Sequence, residues 1–325
     1  MERLTDTRLV SFINKFLKWP IFITVLAFMP LFTNNYSQYV INLIFIYVLL
    51  AIGLNIILGY CGQFSFAHTG FYGIGAYVCG YLINRLEISF WFSLPLGGIA
   101  GSIAAFILSF PARRLERYWL AIISLSFTEI MVWIFAHWDA VTGGVSGMNI
   151  HRPFLFGLPI NTDQKVYYVN LIVCSLMMIA GRRIISSRIG RAFVSIREGV
   201  LAAQCFGINT SKYKVMAYVI SGFYAGIAGG MLVLNLEIIV PAAFDSYQMA
   251  ILIAMVIIGG KGTFVGSVAG AFVLTILPEI LRQSKAYQEM IYGFLLVSIL
   301  IFMPKGIQGA IRWIRFLPRE TMHIQ

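Results

Sequence analysis

Long apolar runs separated by short polar connections dominate the chain, and the length of these runs supports the first prediction. The hydrocarbon core of a bilayer is about 30 Å thick and takes roughly 20 apolar residues in a helix. The runs that reach or approach this length lie at residues 19–32, 39–58, 64–83, 90–110, 119–138, 166–180, 215–236, 247–258, 265–281 and 290–303. The pattern predicts an all-α polytopic membrane protein with about ten transmembrane helices.

Composition supports this fold class and indicates a single membrane domain. Of the 325 residues, 59% are hydrophobic and 11% are charged, whereas a soluble domain is about half apolar and a quarter charged. We expect a cytoplasmic segment at 1–18, one transmembrane domain at 19–303 and a cytoplasmic tail at 304–325. Charges precede the first apolar run and no small-residue cleavage site follows it, so we expect no removed signal peptide.

The net charge of +11 would suit a nucleic-acid partner, but the positions of the charges favour a membrane topology. If the N-terminus is cytoplasmic, ten spans place most of the 24 Lys and Arg residues in cytoplasmic segments. This distribution follows the positive-inside rule. The sequence therefore predicts cytoplasmic termini, a lipid environment and no nucleic-acid partner.

Residues 181–214, the inner segment, form the only extended charged stretch between spans. Their pattern predicts an amphipathic helix with Ala192, Ile196, Leu201 and Cys205 on one face, and a helix end at Gly207. Such a helix can lie in the lipid interface or dock into a groove of a soluble partner. Alternatively, its arginines only fix the topology.

The stretch "GYCGQFSFAHTG", residues 59–70, is a polar break between two apolar runs. One interpretation is a tight cytoplasmic turn with Gly62 as a helix C-cap. Another is a discontinuous helix beside a solute path, which needs its backbone buried in protein or facing water. We predict a helix break near the inner mouth, with a path or gate lined by Gly62, Gln63, Ser65, His68 and Thr69.

Glu129 is the clearest acid inside a predicted span. An intramembrane carboxylate is a functional candidate, so Glu129 joins the path or gate residues, and we expect it to face the bundle interior with a partner. The alternative is a structural acid that joins two helices. The histidines lack ligand spacing, so we expect no metal site. His137 and Asp139 are the nearest pair for an enzyme, but they diverge on a helix.

Glycines four residues apart recur in two predicted spans. Small residues at this spacing let two helix backbones approach closely in a membrane. We therefore predict helix packing at Gly222, Gly226, Gly230, Gly266 and Gly270. The stretch "GGKGT", residues 259–263, lacks the spacing of a nucleotide-binding loop, so any ATPase must be another polypeptide.

Four stretches resemble one protein family. The stretch "IREGVLAAQCFGINTSKYKVMAYVISGFYAGIAGG", from Ile196, resembles the coupling segment of the M-type permease subunit of branched-chain amino acid ABC transporters. The stretches "GQFSFAHTGFYGIGAYV", "SLSFTEIMVWIFAHWDAVTGGVSGM" and "MVIIGGKGTFVGSVAGAFVLTILPEIL" are similar to other parts of the same family. Together they cover roughly residues 43–315.

The resemblance implies one membrane half of an ATP-driven solute importer in the bacterial inner (plasma) membrane, with no catalytic residue and no cofactor on this chain. The implied partners are a second, non-identical permease subunit, two cytoplasmic ATPases that hold ATP and Mg²⁺, and an external substrate-binding protein. The implied cargo is a branched-chain or other hydrophobic amino acid, although related permeases carry urea or short amides. The residues that it implies for ATPase coupling are Arg197, Glu198, Ala202, Ala203, Gly207 and Ile208.

Two other classes of function stay open on the residues alone. An ion-coupled secondary transporter needs no ATPase, but it should depend on intramembrane ionisable residues, of which Glu129 is the main candidate. An integral-membrane enzyme built round His68 or His137 needs an acid or base at the same depth.

Overall fold

The structure of the chain, a computed structural model, describes residues 29–31, 34–112, 117–150, 154–155, 158–159, 163–281, 293–294 and 297. Long α-helices make up most of the described residues. They are α1 (Asn35–Asn55), α2 (His68–Leu86), α3 (Phe90–Ala112), α4 (Arg117–His137), α6 (Asp163–Ser186), α9 (Thr210–Asn235), α10 (Ser246–Gly259) and α11 (Phe264–Leu281).

Short elements connect these helices. They are the π-helix Ile56–Tyr60, the helices α5 (Asp139–Thr142), α7 (Arg188–Glu198) and α8 (Val200–Cys205), the 3-10 turns Met29–Leu31, Gly144–Ser146 and Pro241–Phe244, and the strands β1 (Met148–Asn149), β2 (Phe154–Leu155), β3 (Leu158–Pro159) and β4 (Ile238–Ile239). The strands β1 and β4 pair antiparallel, with Met148 opposite Ile239, and β2 pairs antiparallel with β3. The β1–β4 pair joins the connection before α6 to the connection after α9, at the end of the bundle opposite the inner segment.

The predicted all-α polytopic fold is confirmed. Within the described residues, six helices are long and apolar enough to cross a membrane, and Phe264–Ile280 is a shorter apolar helix. The count of ten spans and the cytoplasmic position of the termini stay predictions. The segments 1–18 and 304–325 lie outside the described residues, as do most of the predicted spans 19–32 and 290–303.

The start of the third predicted span differs from residue 64, because α2 begins only at His68. Before it, α1 continues into the π-helix and the chain then runs irregularly from Cys61 to Ala67. Gly62 adopts φ +72° just after this helix end. Glycine adopts this left-handed conformation without steric strain, and the conformation is common where helices end. The polar break is therefore several residues long.

α9 lies at the centre of the described bundle, where it contacts α1, α2 and α3. Close contact is possible because glycines face each other on three helices. A Cβ placed on Gly226 would lie 2.8 Å from the Gly98 Cα and would overlap the Gly97 carbonyl oxygen, while a Cβ on Gly75 would overlap the Gly226 backbone. The same register places Gly222 against Gly101. The backbones of α2, α3 and α9 thus meet directly.

A second contact of this kind joins α10 to α11. A Cβ on Gly266 would overlap the Gly259 carbonyl oxygen, and a Cβ on Gly270 would overlap the Met255 carbonyl oxygen. Because α10 packs on α11 and α11 packs on α1, the loop between α10 and α11 lies at the inner end of α1. This position brings the loop beside the polar break.

Buried asparagines link the spans by hydrogen bonds. The Asn170 Nδ2 of α6 donates to the Asn42 Oδ1 of α1 at 3.1 Å and to the Asn235 Oδ1 of α9 at 3.4 Å. Interhelical bonds of this kind stabilise membrane helix packing by about 0.6 kcal/mol on average. They fix the relative positions of α1, α6 and α9.

Candidate functional site

After the last turns of α6, the inner segment forms an amphipathic helix, α7, that packs on the membrane helices. The Ser187 side chain accepts a hydrogen bond from the Ile189 N–H at 3.1 Å and so caps the start of α7. Phe193 and Ile196 are fully buried on one side of the helix. This burial fixes α7 to the bundle, which favours a rigid docked element over a loose surface loop.

Gly199 separates α7 from α8 within the inner segment. Its backbone is extended (φ −178°, ψ 115°) between α7 and α8. Leu201, after this break, is 78% exposed, whereas Ile196, before it, is buried. The prediction that Leu201 and Cys205 share one face with Ala192 and Ile196 is therefore wrong, because a continuous helix does not connect them.

The predicted helix end at Gly207 is confirmed. α8 ends at Cys205, and Gly207 adopts φ +76°. The Ile208 N–H then donates to the Ala203 carbonyl at 3.0 Å, which closes the helix end. Phe206, held in this turn, is 84% exposed.

The residues that the resemblance assigns to ATPase coupling do not all face outward. Glu198, Ala202 and Gly207 are exposed, and nothing in the part of the chain that the structure describes lies within 4 Å of a Cβ placed on Gly207. Ala203 is buried and Ile208 is half-buried, so these two support the turn from beneath. Their role in coupling stays a prediction.

Two large exposed side chains of the inner segment were not among the predicted site residues. Leu201 and Phe206 form an apolar pair, the docking pair, on α8 and the turn that follows it. The available signal was two large apolar residues within a charged stretch outside the spans. The signal was missed because Leu201 was predicted to lie on the same face of one long helix as Ala192 and Ile196.

Arg197 points toward the membrane bundle. Its Nη1 donates to the Gly59 carbonyl at 2.8 Å, at the end of the π-helix. Its Nε and Nη2 donate to the Glu198 Oε1 at 3.1 and 2.7 Å. The Arg197 side chain is 34% exposed and that of Glu198 is 69% exposed. The inner segment is therefore bonded directly to the polar break.

Side chains of α4 satisfy the irregular backbone of the polar break. The Phe66 N–H donates to the Ser124 Oγ at 2.9 Å, and the Thr128 Oγ1 donates to the Phe66 carbonyl at 2.8 Å. The Gln63 N–H donates to the Ile57 carbonyl at 3.0 Å. Non-helical backbone at membrane depth needs such protein partners. The missed signal was two hydroxyls four residues apart in one span.

The polar side chains of the break are buried inside this chain. Gln63 is 8% exposed, and Ser65, His68 and Thr69 are 2% exposed or less. The His68 Nδ1 is hydrogen-bonded to the Ser221 Oγ of α9 at 3.0 Å. The break thus packs between α2, α4 and α9, and its contact with a solute path stays a prediction.

Glu129 is exposed on the surface of this chain, so the expectation that it faces the interior of the bundle is wrong. The reason is that α4 packs through the side that carries Ser124 and Thr128, and Glu129 lies on another side. The Ser246 Oγ, in the first turn of α10, donates a hydrogen bond to the Glu129 Oε1. Glu129 therefore has a partner and joins α4 to α10.

Replacement of Glu129 by Gln is expected to leave uptake within about twofold of the unmodified chain, because the amide oxygen still accepts the Ser246 bond. Glu129→Leu removes the acceptor and should lower the unfolding temperature in detergent. Solute uptake and thermal unfolding of both variants check this. Complete loss of uptake in a normally assembled Gln variant would instead show that transport needs the carboxylate charge.

Comparison with known proteins identifies the family. A family described as "Branched-chain amino acid transport system / permease component" matches residues 36–302. The chain belongs to this family. The resemblance drawn from the four sequence stretches is thereby confirmed, and the polar break, the inner segment and the glycine contacts all lie within the matched part of this permease family member.

Individual relatives agree with the family. The high-affinity branched-chain amino acid transport system permease protein LivM of Salmonella typhimurium is 29% identical over 302 residues, covering 86% of this chain and 71% of the relative. The permease protein LivH of the same organism is 28% identical, covering 81% and 91%. The ribose import permease protein RbsC of Escherichia coli is 23% identical, covering 70% and 72%. No solved structure matches the chain.

Proposed function

We propose that the chain is one of two permease subunits of an ATP-driven importer, and that its inner segment binds a separate ATPase. The observation that carries this proposal is the exposure of Leu201 and Phe206 beside a rigidly packed α7. Two large apolar side chains exposed five residues apart outside the spans favour a protein-binding surface at this turn. A short helix with such side chains suits a groove on a soluble partner.

The solute path is proposed to run along the exposed side of α4, where a second permease subunit completes it. Only 22% of the apolar window of α4 is buried within this chain, and this surface carries Glu129. A carboxylate in contact with acyl chains costs at least a few kcal/mol. A protein or aqueous neighbour is therefore favoured over lipid at this position. The similarity to both LivM and LivH supports a non-identical second subunit.

Transport then proceeds without covalent chemistry on this chain. Two cytoplasmic ATPases bind ATP and Mg²⁺, and their closure moves the two inner segments. This movement tilts the bundles and switches the path from inward to outward access. An external binding protein delivers the solute, and return of the ATPases releases it inside the cell. Membership of the permease family supports this cycle.

The proposed cargo is a branched-chain or other hydrophobic amino acid. The family description and the names of the LivM and LivH relatives support this cargo. The ribose permease among the relatives shows that similar chains serve other solutes. Urea or a short amide, which the family resemblance also allows, is the alternative cargo, and competition of labelled leucine uptake by each solute distinguishes them.

Co-expression with a second permease subunit, the ATPases and a binding protein tests the proposed function. The ATPase should copurify with this chain in mild detergent. Leucine uptake into proteoliposomes should require ATP and stop when the ATPase is inactivated, yet it should survive collapse of the ion gradient. Uptake that requires the ion gradient and continues when the ATPase is inactivated would support a secondary transporter instead.

A further inference from the structure

We propose that Arg197 is the positioning residue that transmits movement of the inner segment to the membrane helices. This inference rests on the proposed function and adds the route by which the ATPase acts on the bundle. Arg197 would do so by holding the end of α1 and the loop between α10 and α11 at the same time. Contacts of its side chain with both elements carry the inference.

The first contact is with the end of α1. Arg197 Nη1 donates to the Gly59 carbonyl at 2.8 Å, within the π-helix that extends α1. The last carbonyls of a helix have no partner within it and attract cations. π-helical turns are frequent at functional sites because they interrupt the regular bonding of a helix. A guanidinium at this point therefore holds the inner end of α1.

The second contact is with the loop between α10 and α11. A Cβ placed on Gly262 would overlap the Arg197 Nη1, so the loop backbone lies against the guanidinium. On the other side, a Cβ placed on Gly62 would lie 3.0 Å from the Arg197 Cγ. Gly62 and Gly262 adopt φ +72° and +71°, which favours glycine. The two glycines thus leave a slot that the arginine side chain fills.

Asn55 links the two elements that Arg197 contacts, the end of α1 and the loop between α10 and α11. Its Oδ1 accepts a bond from the Gly262 N–H at 2.9 Å, and its Nδ2 donates to the Thr263 carbonyl at 3.0 Å and the Ser267 Oγ at 2.6 Å. Asn55 is 1% exposed and lies in the last turn of α1. The end of α1, the loop and the start of α11 therefore move together.

The direction of Arg197 distinguishes it from the docking pair. Leu201 and Phe206 point to solvent, whereas Arg197, on α7 just before the break at Gly199, reaches into the bundle. A force on α8 reaches α1 and α11 through this side chain, and α7 itself is anchored by Phe193 and Ile196. Loss of the guanidinium should leave the docking surface intact and weaken its connection with the spans.

The test uses Arg197→Met in the complete complex, because methionine keeps an unbranched apolar stem between the glycines and removes every hydrogen bond of the guanidinium. We expect normal recovery of the ATPase and continued ATP hydrolysis, with about tenfold less leucine transported per ATP hydrolysed. Arg197→Lys, which keeps the charge and one donor group toward the Gly59 carbonyl, should regain part of that ratio. Arg188→Met makes the same change at an exposed arginine of α7 and should leave the ratio unchanged.

Several outcomes would overturn the inference. A normal ratio of transport to hydrolysis in Arg197→Met would show that movement does not pass through this side chain. Loss of ATPase recovery would show that Arg197 is needed for binding of the ATPase. Failure of both Arg197 variants to assemble would show that the residue is needed for assembly of the complex. If the ATPase does not copurify even with the unmodified chain, the proposed function itself fails, and this result is distinct from the others.

Discussion

Phe206→Asp is expected to abolish copurification of the ATPase and, with it, uptake. The Phe206 side chain is 84% exposed on the turn after α8, and a buried aromatic anchor at an interface typically contributes 2 kcal/mol or more. A carboxylate in the receiving groove would lose that contribution and would also need desolvation. A decrease in affinity of at least about 30-fold follows. Pull-down of the ATPase in detergent and uptake into proteoliposomes measure it.

A matched control separates docking from general damage. Val145 is 77% exposed in the 3-10 turn after α5, at the opposite end of the bundle. Val145→Asp therefore introduces the same charge at an exposed apolar site that an ATPase cannot reach, and ATPase recovery should stay normal. Phe206→Leu should also retain recovery, because it keeps an apolar side chain. Full recovery of the ATPase with Phe206→Asp would disprove the docking assignment.

The sequence predicted the membrane fold well because apolar length is a direct consequence of bilayer thickness. Every predicted span within the described residues overlaps a helix, and the helix end at Gly207 was predicted from one glycine. The predicted start of α2 was wrong by four residues, because the hydropathy of residues 64–67 does not reveal that their backbone is irregular. The hydroxyls of Ser124 and Thr128 that satisfy this backbone come from a different helix.

The candidate site was less predictable, because its essential contacts join residues distant in the chain. Arg197 was selected through family resemblance, but its contact with the Gly59 carbonyl depends on the packing of α7 on α1. Asn55 gave a local signal, an amide within an apolar run, but its partners in the Gly262 loop are more than 200 residues away. The exposure of Leu201 depended on a break at Gly199 that helical periodicity does not show.

The glycine contacts give the other large expected effect, a loss of stability on replacement of Gly226 by Leu. Gly226 lies where α9 meets α2 and α3, and even a Cβ there would lie 2.8 Å from the Gly98 Cα. The helices must separate to admit any side chain, and overpacking in a tight core costs about 1–3 kcal/mol or more. Since close backbone approach drives helix association in membranes, the bundle should lose its central contact.

Gly226→Leu should therefore lower the unfolding temperature in detergent by several degrees or prevent recovery of the folded chain. Gly293→Leu is the matched control, because no atom of the described residues lies within 4 Å of a Cβ placed on Gly293, and its unfolding temperature should not fall. Gly226→Ala adds only the Cβ and should have an intermediate effect. Equal unfolding temperatures for all these variants would mean that α2, α3 and α9 do not pack backbone to backbone in the membrane protein.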